Sequence, residues 1–241
     1  MNQKNNLVKN ASFLMVAAMI SKVIGLLYKS PLSSIVGNMG MGYISLAQNA
    51  YMMIASFSIP QAVSKVIPER IALKDYKNAQ KIFHGSLIYA AIVGGIVALV
   101  CLFGARFIIP SNQPNAVLAL QILSPTIFLS GILGVYRGYF QAYRNMMPTS
   151  ISQIIEQVFN AVISIVGASV LFGIGIKAGE KSGEELLGPA YGAAGSTLGT
   201  VVGSLSGLLF LLFVIFIYKN VIRKQLKRDR TQNVESYSFL L

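Results

Sequence analysis

The chain has 241 residues, of which 54% are hydrophobic and only 12% are charged, whereas a soluble domain has about 25% charged residues. The formal net charge of +12 does not indicate a nucleic-acid-binding module, because the Lys and Arg residues lie in the gaps between long apolar runs. These properties exclude an ordinary soluble domain and predict a membrane protein, with no nucleic acid among its partners.

Six apolar segments are long enough to cross a bilayer, which takes about 20 residues of helix. In chain order they cover 7–28, 42–66, 82–103, 116–140, 149–172 and 190–218. Pro31 lies just beyond the first segment, and Pro60 and Pro125 lie within the second and fourth, where they predict bends. The sequence therefore predicts an all-α membrane protein, with a six-helix transmembrane unit over 1–218 and a basic tail over 219–241.

The distribution of Lys and Arg between these segments predicts the orientation of the chain. Fifteen basic residues lie in the N-terminus, the tail and the two connections on one side, and four lie on the other: Lys29, Arg106, Lys177 and Lys181. Basic residues concentrate in cytoplasmic loops, so both termini are predicted to be cytoplasmic. The segment 68–83 alternates basic and apolar residues and is predicted to lie along the inner membrane surface, with anionic lipids as partners of this segment and of the tail.

The sixth segment carries a glycine every four residues, at Gly195, Gly199, Gly203 and Gly207. A ridge of small residues lets another helix approach closely, and van der Waals contact of this kind drives helix association in lipid. We predict that these four residues form a helix-packing surface. A sliding surface or hinge is compatible with the same pattern.

Several polar side chains are predicted to lie at membrane depth. A glutamate in the middle of such a helix costs roughly 2.5–3.5 kcal/mol in lipid, so Glu156 should face protein or a water-filled cavity. It lines a functional cavity in one interpretation, and is a structural ion-pair partner or a neutral carboxyl in the other. Lys22 either lines the same cavity or snorkels, and Lys29 is either a substrate contact at the outer mouth or an interface anchor. The predicted cavity is lined by Lys22, Lys29, Gln48, Gln153, Glu156 and Asn160.

Catalytic chemistry has no visible basis in this sequence. His84 is the single histidine, and no phosphate-binding glycine loop or nucleophile with a suitably spaced base occurs. We therefore predict no enzymatic activity, no catalytic residue, no metal site and no cofactor.

Three stretches of the chain resemble a known family: SKVIGLLYKSPLSSIVG, SFSIPQAVSKVIPERIALKDYKNAQKIF and, above all, RGYFQAYRNMMPTSISQIIEQ. They are similar to the polysaccharide-biosynthesis and lipid II flippases of the multidrug/oligosaccharidyl-lipid/polysaccharide exporter superfamily, in particular to the Gram-positive, stage V sporulation protein B-like branch. The resemblance implies a MATE-like transporter of two six-helix lobes around a central cavity with alternating access. It also implies that Lys22 attracts the diphosphate of an undecaprenyl-linked sugar in that cavity.

The resemblance implies that this chain corresponds to the N-terminal lobe of such a two-lobe transporter. We expect a fragment or half of an assembly, with a second lobe as the missing partner. The implied activity is flipping of an undecaprenyl-linked oligosaccharide or a lipid II-like peptidoglycan precursor across the cytoplasmic membrane of a bacterium. The alternatives are a cation-coupled multidrug or metabolite exporter, in which Glu156 takes up a proton or a sodium ion, and a non-transporting membrane scaffold for wall synthesis.

Overall fold

The computed structural model describes the backbone of residues 2–56 and 63–228, and the side chains of 12–54 and 67–221. In these ranges the regular structure is entirely helical. The helices are α1 (Asn2–Leu27), α2 (Lys29–Ser56), α3 (Val63–Ala72), α4 (Tyr76–Ile108), α5 (Val117–Leu123), α6 (Pro125–Ala142), α7 (Met147–Ser182) and α8 (Leu187–Arg228), with one 3-10 turn at Pro114–Ala116.

The membrane-spanning segments follow from length and composition. Four described stretches are long and apolar enough to cross a bilayer: Tyr76–Ile108, Pro114–Ala142, Met147–Ser182 and Leu187–Val221. A fifth candidate is the bent pair formed by Ser12–Leu27 and Lys29–Ile54. The predicted all-helical, multi-pass membrane fold is therefore confirmed with four to five candidate spans, and the count of six stays a prediction.

A proline explains the bend between α1 and α2. The two helices meet at Tyr28 with an angle of 45°. Pro31 has no N–H to donate to the carbonyl of Leu27, four residues earlier, and its ring crowds that carbonyl. The flanking hydrogen bonds persist, since the Tyr28 N–H donates to the Ile24 carbonyl at 3.2 Å and the Leu32 N–H donates to the Tyr28 carbonyl at 3.1 Å. The first predicted segment ends at this bend, but the helix resumes at Lys29 rather than at residue 42.

The chain changes direction again at Gly37. Its backbone angles, φ 67° and ψ −177°, are not helical and divide α2 into 29–36 and 38–56. Only glycine adopts this conformation without a steric penalty. The second predicted segment, 42–66, thus begins inside α2. Residues 57–62, which include Pro60, lie outside the described residues, and 63–66 belong to α3.

Other helix ends also differ from the predicted ones. The fourth predicted segment is broken at Ser124, directly before the proline that suggested a bend. The segment 68–83 is not continuous, because a turn with Lys74 at φ 61° separates α3 from α4. Helix α7 extends ten residues beyond 172 to Ser182, so Lys177 and Lys181 belong to a helix and not to a connecting loop.

The most extensive helix contact joins α7 and α8. A Cβ atom built on Gly203 would lie 2.6 Å from the Glu156 carbonyl oxygen, and one built on Gly207 would lie 3.2 Å from that of Ser152. Gly199 and Gly195 also lie close to α7, against the backbone of Asn160 and Gly167 respectively. The four-residue glycine ridge of α8 therefore lies against the backbone of α7.

Enlarging a glycine in this contact should separate the two helices. We expect Gly203→Ala to destabilise the protein by about 1–3 kcal/mol, because a methyl group would overlap a backbone oxygen. Gly173→Ala on α7 is the matched control, since a Cβ atom there meets nothing within 4 Å. Thermal unfolding in detergent measures both. Equal stability of the two variants would contradict the packing described above.

Candidate functional site

Most of the long helices expose apolar side chains. On α4, α7 and α8 the exposed side chains include Ile92, Ile96, Leu99, Phe103, Val158, Val162, Val166, Leu209, Phe213 and Phe216. A face of this composition suits contact with lipid chains, because it carries no polar group that would lose hydrogen bonds to water. These helices accordingly form the lipid-facing wall of the molecule.

Helix α2 differs in part: beyond Gly37 it exposes three methionines, and its other exposed residues are polar or small. Asn38, Gly42, Ser45 and Asn49 are exposed and recur at helical spacing, so they share one side of the helix. The opposite side, with Tyr43 and other buried residues, packs on α5 and α8. Amide and hydroxyl groups are costly to expose to hydrocarbon. We call these four residues the α2 open face. Its composition suits water or another protein unit better than lipid.

The two candidate lysines lie on either side of the bend at Tyr28. Lys22 is exposed on α1, and Lys29 is the exposed first residue of α2. Seven residues of helix follow Lys29 before Gly37, or roughly 11 Å at 1.5 Å per residue, so helix continues past residue 28, where the first predicted segment ends. Neither lysine forms an ion pair within the described part of the chain. Gln48 is half-buried beside Asn49 of the α2 open face.

Glu156 belongs to a network that joins three helices. Its Oε2 accepts a hydrogen bond from Arg137 Nη2 of α6 at 2.6 Å, and its Oε1 accepts one from Ser204 Oγ of α8 at 3.0 Å. The Nε of Arg137 also donates to Ser152 Oγ at 3.1 Å. The Arg137 and Glu156 side chains are only 18% and 21% exposed, so water screens this ion pair weakly. Both carboxylate oxygens are thus engaged by protein groups.

Asn160 holds a second polar cluster one helical turn further along α7. Asn160 is only 8% exposed. The Oδ1 of its side chain lies 3.0 Å from Ser164 Oγ and 3.4 Å from Thr200 Oγ1. Ser164 Oγ is also 2.8 Å from the Ser196 carbonyl oxygen of α8. The polar residues of α7 therefore face α8 through these contacts, where hydrogen bonds offset the cost of their burial.

Gln153 belongs to α7, the helix against which α1 packs. The residue is half-buried, and its Oε1 is enclosed without a hydrogen-bond partner, as is Ser21 Oγ on α1. Further along the same contact, a Cβ atom on Gly25 would lie 3.6 Å from the Oε1 of Gln157. Of the six predicted cavity residues, Glu156 and Asn160 thus belong to two neighbouring hydrogen-bond networks. Lys22, Lys29 and Gln48 lie on exposed or half-exposed surface.

Two features of this region escaped the sequence analysis. Arg137 was one of the fifteen basic residues counted in the termini and connections of one side, but it lies in α6 and is the ion-pair partner of Glu156. A basic residue one or two turns before a helix end cannot be told from a loop residue by hydropathy. The α2 open face was detectable in principle, because its polar and small residues recur at helical spacing within an apolar stretch.

The Arg137–Glu156 ion pair can be tested by a double-mutant cycle. We expect the destabilising effects of Arg137→Ala and Glu156→Ala to sum to more than the effect of the double variant, because each single change leaves a charge unpaired. The coupling free energy should be about 1–3 kcal/mol in thermal unfolding. The Arg70–Asp75 pair is the control and should couple more weakly, because its Nη1 and Oδ2 atoms are 3.7 Å apart, beyond hydrogen-bond distance. Additive effects of the two single changes would contradict a direct interaction.

The chain is similar to three longer proteins of Bacillus subtilis (strain 168). It is 28% identical to stage V sporulation protein B over 158 residues, which are 64% of this chain and 30% of that protein. Identity to lipid II flippase MurJ is 24% over 165 residues, covering 63% of the chain and 30% of the relative. Identity to the uncharacterized membrane protein YabM is 27% over 158 residues, covering 61% and 28%. The chain spans less than a third of the length of these relatives.

No solved structure matches this chain. The sequence model of the polysaccharide biosynthesis protein family matches residues 7–240, which confirms the resemblance found in the sequence. Together with the apolar helices, these similarities identify a multi-pass protein of the bacterial cytoplasmic membrane. The chain belongs to the polysaccharide biosynthesis protein family.

Proposed function

We propose that this chain forms one lobe of a transporter, not an enzyme, that moves a lipid-linked anionic precursor of the cell wall across the cytoplasmic membrane. The observation that carries the proposal is the combination of the polar α2 open face with two exposed lysines in the bent candidate span formed by α1 and α2. An undecaprenyl-linked oligosaccharide or a lipid II-like molecule has the matching chemistry, with a diphosphate for the lysines and a prenyl tail for the bilayer. One relative bears the name lipid II flippase.

The electrostatics of Lys22 and Lys29 favour an anionic substrate. A lysine near the centre of a membrane helix costs roughly 2.5–3.5 kcal/mol unless water or a counter-ion offsets the charge. No acidic residue pairs with either lysine within the described ranges. A diphosphate in a hydrated cleft would supply the missing counter-charge, and a lysine ammonium binds phosphate as a point charge.

The exporter alternative requires a carboxylate that is free to bind a proton or a sodium ion. Glu156 was the candidate, but its two oxygens accept hydrogen bonds from Arg137 and Ser204. A structural role for Glu156, with substrate contacts on the other side of the lobe, fits this arrangement better. We therefore prefer the lysine-based proposal and assign the substrate cleft to Lys22, Lys29, Gln48 and the α2 open face.

In this proposal the chain has six spans, and Gly37 separates the first span, α1 with residues 29–36, from the second, residues 38–56. Both termini are cytoplasmic, since the basic residues are concentrated on their side. The basic segment 68–83 and the end of α8 then contact anionic lipids of the inner leaflet. The α2 open face turns towards the cleft between this lobe and a second lobe, which moves against it in alternating access.

The orientation can be tested by cysteine labelling in intact cells. In a Cys101→Ala background, Ser182→Cys should react with a membrane-impermeant maleimide from outside, whereas Lys74→Cys should react only after permeabilisation. Both positions are exposed, Ser182 at the end of α7 and Lys74 in the turn between α3 and α4, so differences in accessibility arise from the side of the membrane. The reverse labelling pattern, or labelling of both positions from outside, would contradict the proposed topology.

The cationic cleft can be tested with the two lysines. Expressed with the rest of its transporter, Lys22→Ala and Lys29→Ala should each weaken binding of a polyprenyl diphosphate by about 10-fold or more, because each removes a charge-assisted contact of about 1.5–3 kcal/mol. Lys177→Ala is the matched control, since Lys177 is an exposed lysine on α7 and is not among the residues assigned to the cleft. Native affinity of both cleft variants, measured in nanodiscs, would refute the proposed function.

A further inference from the structure

A groove in the lipid-facing wall lies between α4, α6 and α8. Its volume is about 460 Å³, and the residues that line it include Leu99 and Leu102 of α4, Phe128 of α6 and Leu205 of α8. Leu99 and Leu205 are exposed at its rim. All three helices belong to candidate membrane spans, so the groove opens towards the hydrocarbon of the bilayer. We call it the α4 groove.

Small residues and a helix break create this hollow. Helix α4 packs closely on α6 at Gly94, where a Cβ atom would lie 3.5 Å from the Cα atom of Phe128. Beside that contact, Gly95 and Ala98 line the groove and carry no side chain large enough to fill it. On the other helix, the groove reaches Pro125, where α6 begins after the break at Ser124. The hollow therefore follows from the course of the backbone and from missing side-chain volume.

The lining of the α4 groove suits a hydrocarbon chain. The one polar residue among its described lining is Ser124. The Ser124 Oγ donates a hydrogen bond to the Leu120 carbonyl oxygen at 2.8 Å, so its proton is already engaged. A polar ligand would lose its hydrogen bonds to water in such a place, whereas an apolar chain loses none and gains van der Waals contacts.

A positive charge lies on the same face of α4 as the groove. Gly95, Leu99, Leu102 and Arg106 recur at intervals of four, three and four residues, so they share one side of the helix. Arg106 is exposed close to the end of α4 and forms no ion pair within the described ranges. Leu102 and Gly95 lie roughly 6 and 16 Å from it along the helix. This range matches half of the hydrocarbon layer of about 30 Å, which is the depth of one leaflet.

We propose that the α4 groove binds an anionic phospholipid, with the phosphate at Arg106 and one acyl chain in the groove. A guanidinium group forms charge-assisted hydrogen bonds with phosphate oxygens, often two at once. In the proposed topology Arg106 lies at the outer surface, so this lipid belongs to the outer leaflet, unlike the lipids at segment 68–83. The site includes neither Lys22 nor Lys29 and is independent of the proposed transport of a lipid-linked precursor.

Photo-crosslinking tests this site in the full chain. The probe is phosphatidylglycerol with a diazirine in one acyl chain, present as a minor component of phosphatidylcholine nanodiscs. We expect adducts to concentrate on residues 95–102 and 124–129, because a chain held in the groove stays beside them. Excess unlabelled phosphatidylglycerol should remove these adducts. Adducts spread evenly over the apolar faces of α4, α7 and α8 would overturn the proposal, since the groove would then hold no lipid in preference to the bulk bilayer.

Two substitutions address the two parts of the site. Gly95→Leu should abolish the groove adducts, because its side chain would fill the groove while its Cβ atom lies 3.8 Å from the Phe128 ring, an ordinary contact. Gly173→Leu on α7 is the matched control, since a Cβ atom there meets nothing within 4 Å. Arg106→Ala should reduce the adducts about 10-fold, the effect of losing a hydrogen bond to a charged group. Lys177→Ala, which removes another exposed cation, should leave them unchanged.

The other results would each overturn the proposal in a different way. Full labelling of the Arg106→Ala protein would remove the phosphate contact and with it the preference for an anionic phospholipid. Adducts that persist in the Gly95→Leu protein would place the acyl chain outside the groove. If a polyprenyl diphosphate displaces the probe at lower concentration than unlabelled phosphatidylglycerol does, the groove belongs to the tail of a prenyl lipid instead. None of these results depends on whether the lysine variants bind polyprenyl diphosphate normally.

Discussion

Close contact between the backbones of α7 and α8 is the constraint on which the described structure depends. Lipid provides no hydrophobic force between helices, so their association needs short van der Waals contacts and internal hydrogen bonds. The glycines of α8 allow backbone atoms to approach α7, and Ser196, Thr200 and Ser204 follow the same side of the helix. Without this approach, neither Glu156 nor Asn160 could reach its partners on α8.

This contact also orders the polar groups of the lobe. The charged and amide groups of α7 meet partners on α6 and α8, while its outer side presents valines to the lipid. The two lysines and the α2 open face receive no such partners in the described part of the chain. Polar groups thus fall into two sets: one satisfied inside the lobe, which stabilises it, and one exposed at its edge, which is available to a ligand or to another lobe.

Sequence reasoning succeeded where one local signal decides the outcome. Long apolar runs predicted helices, glycine spacing predicted a packing ridge, and a glutamate within an apolar run indicated a protein or cavity environment. It failed where a signal has two structural meanings. Pro31 was read as following the end of a helix, although it bends one, and Arg137 was read as a loop residue, although it lies in α6. Tertiary contacts decide such cases, and one sequence does not contain them explicitly.

The length of α8 has a mechanical consequence. Its 42 residues extend over roughly 63 Å, about twice the 30 Å of the hydrocarbon layer, as one uninterrupted helix. The part beyond the bilayer is therefore a rigid lever attached to the most tightly packed contact of the lobe. A tilt of a few degrees within the membrane becomes a displacement of several ångströms at Arg228. Movement of the lobe is thus amplified at the point where the chain leads into its basic tail.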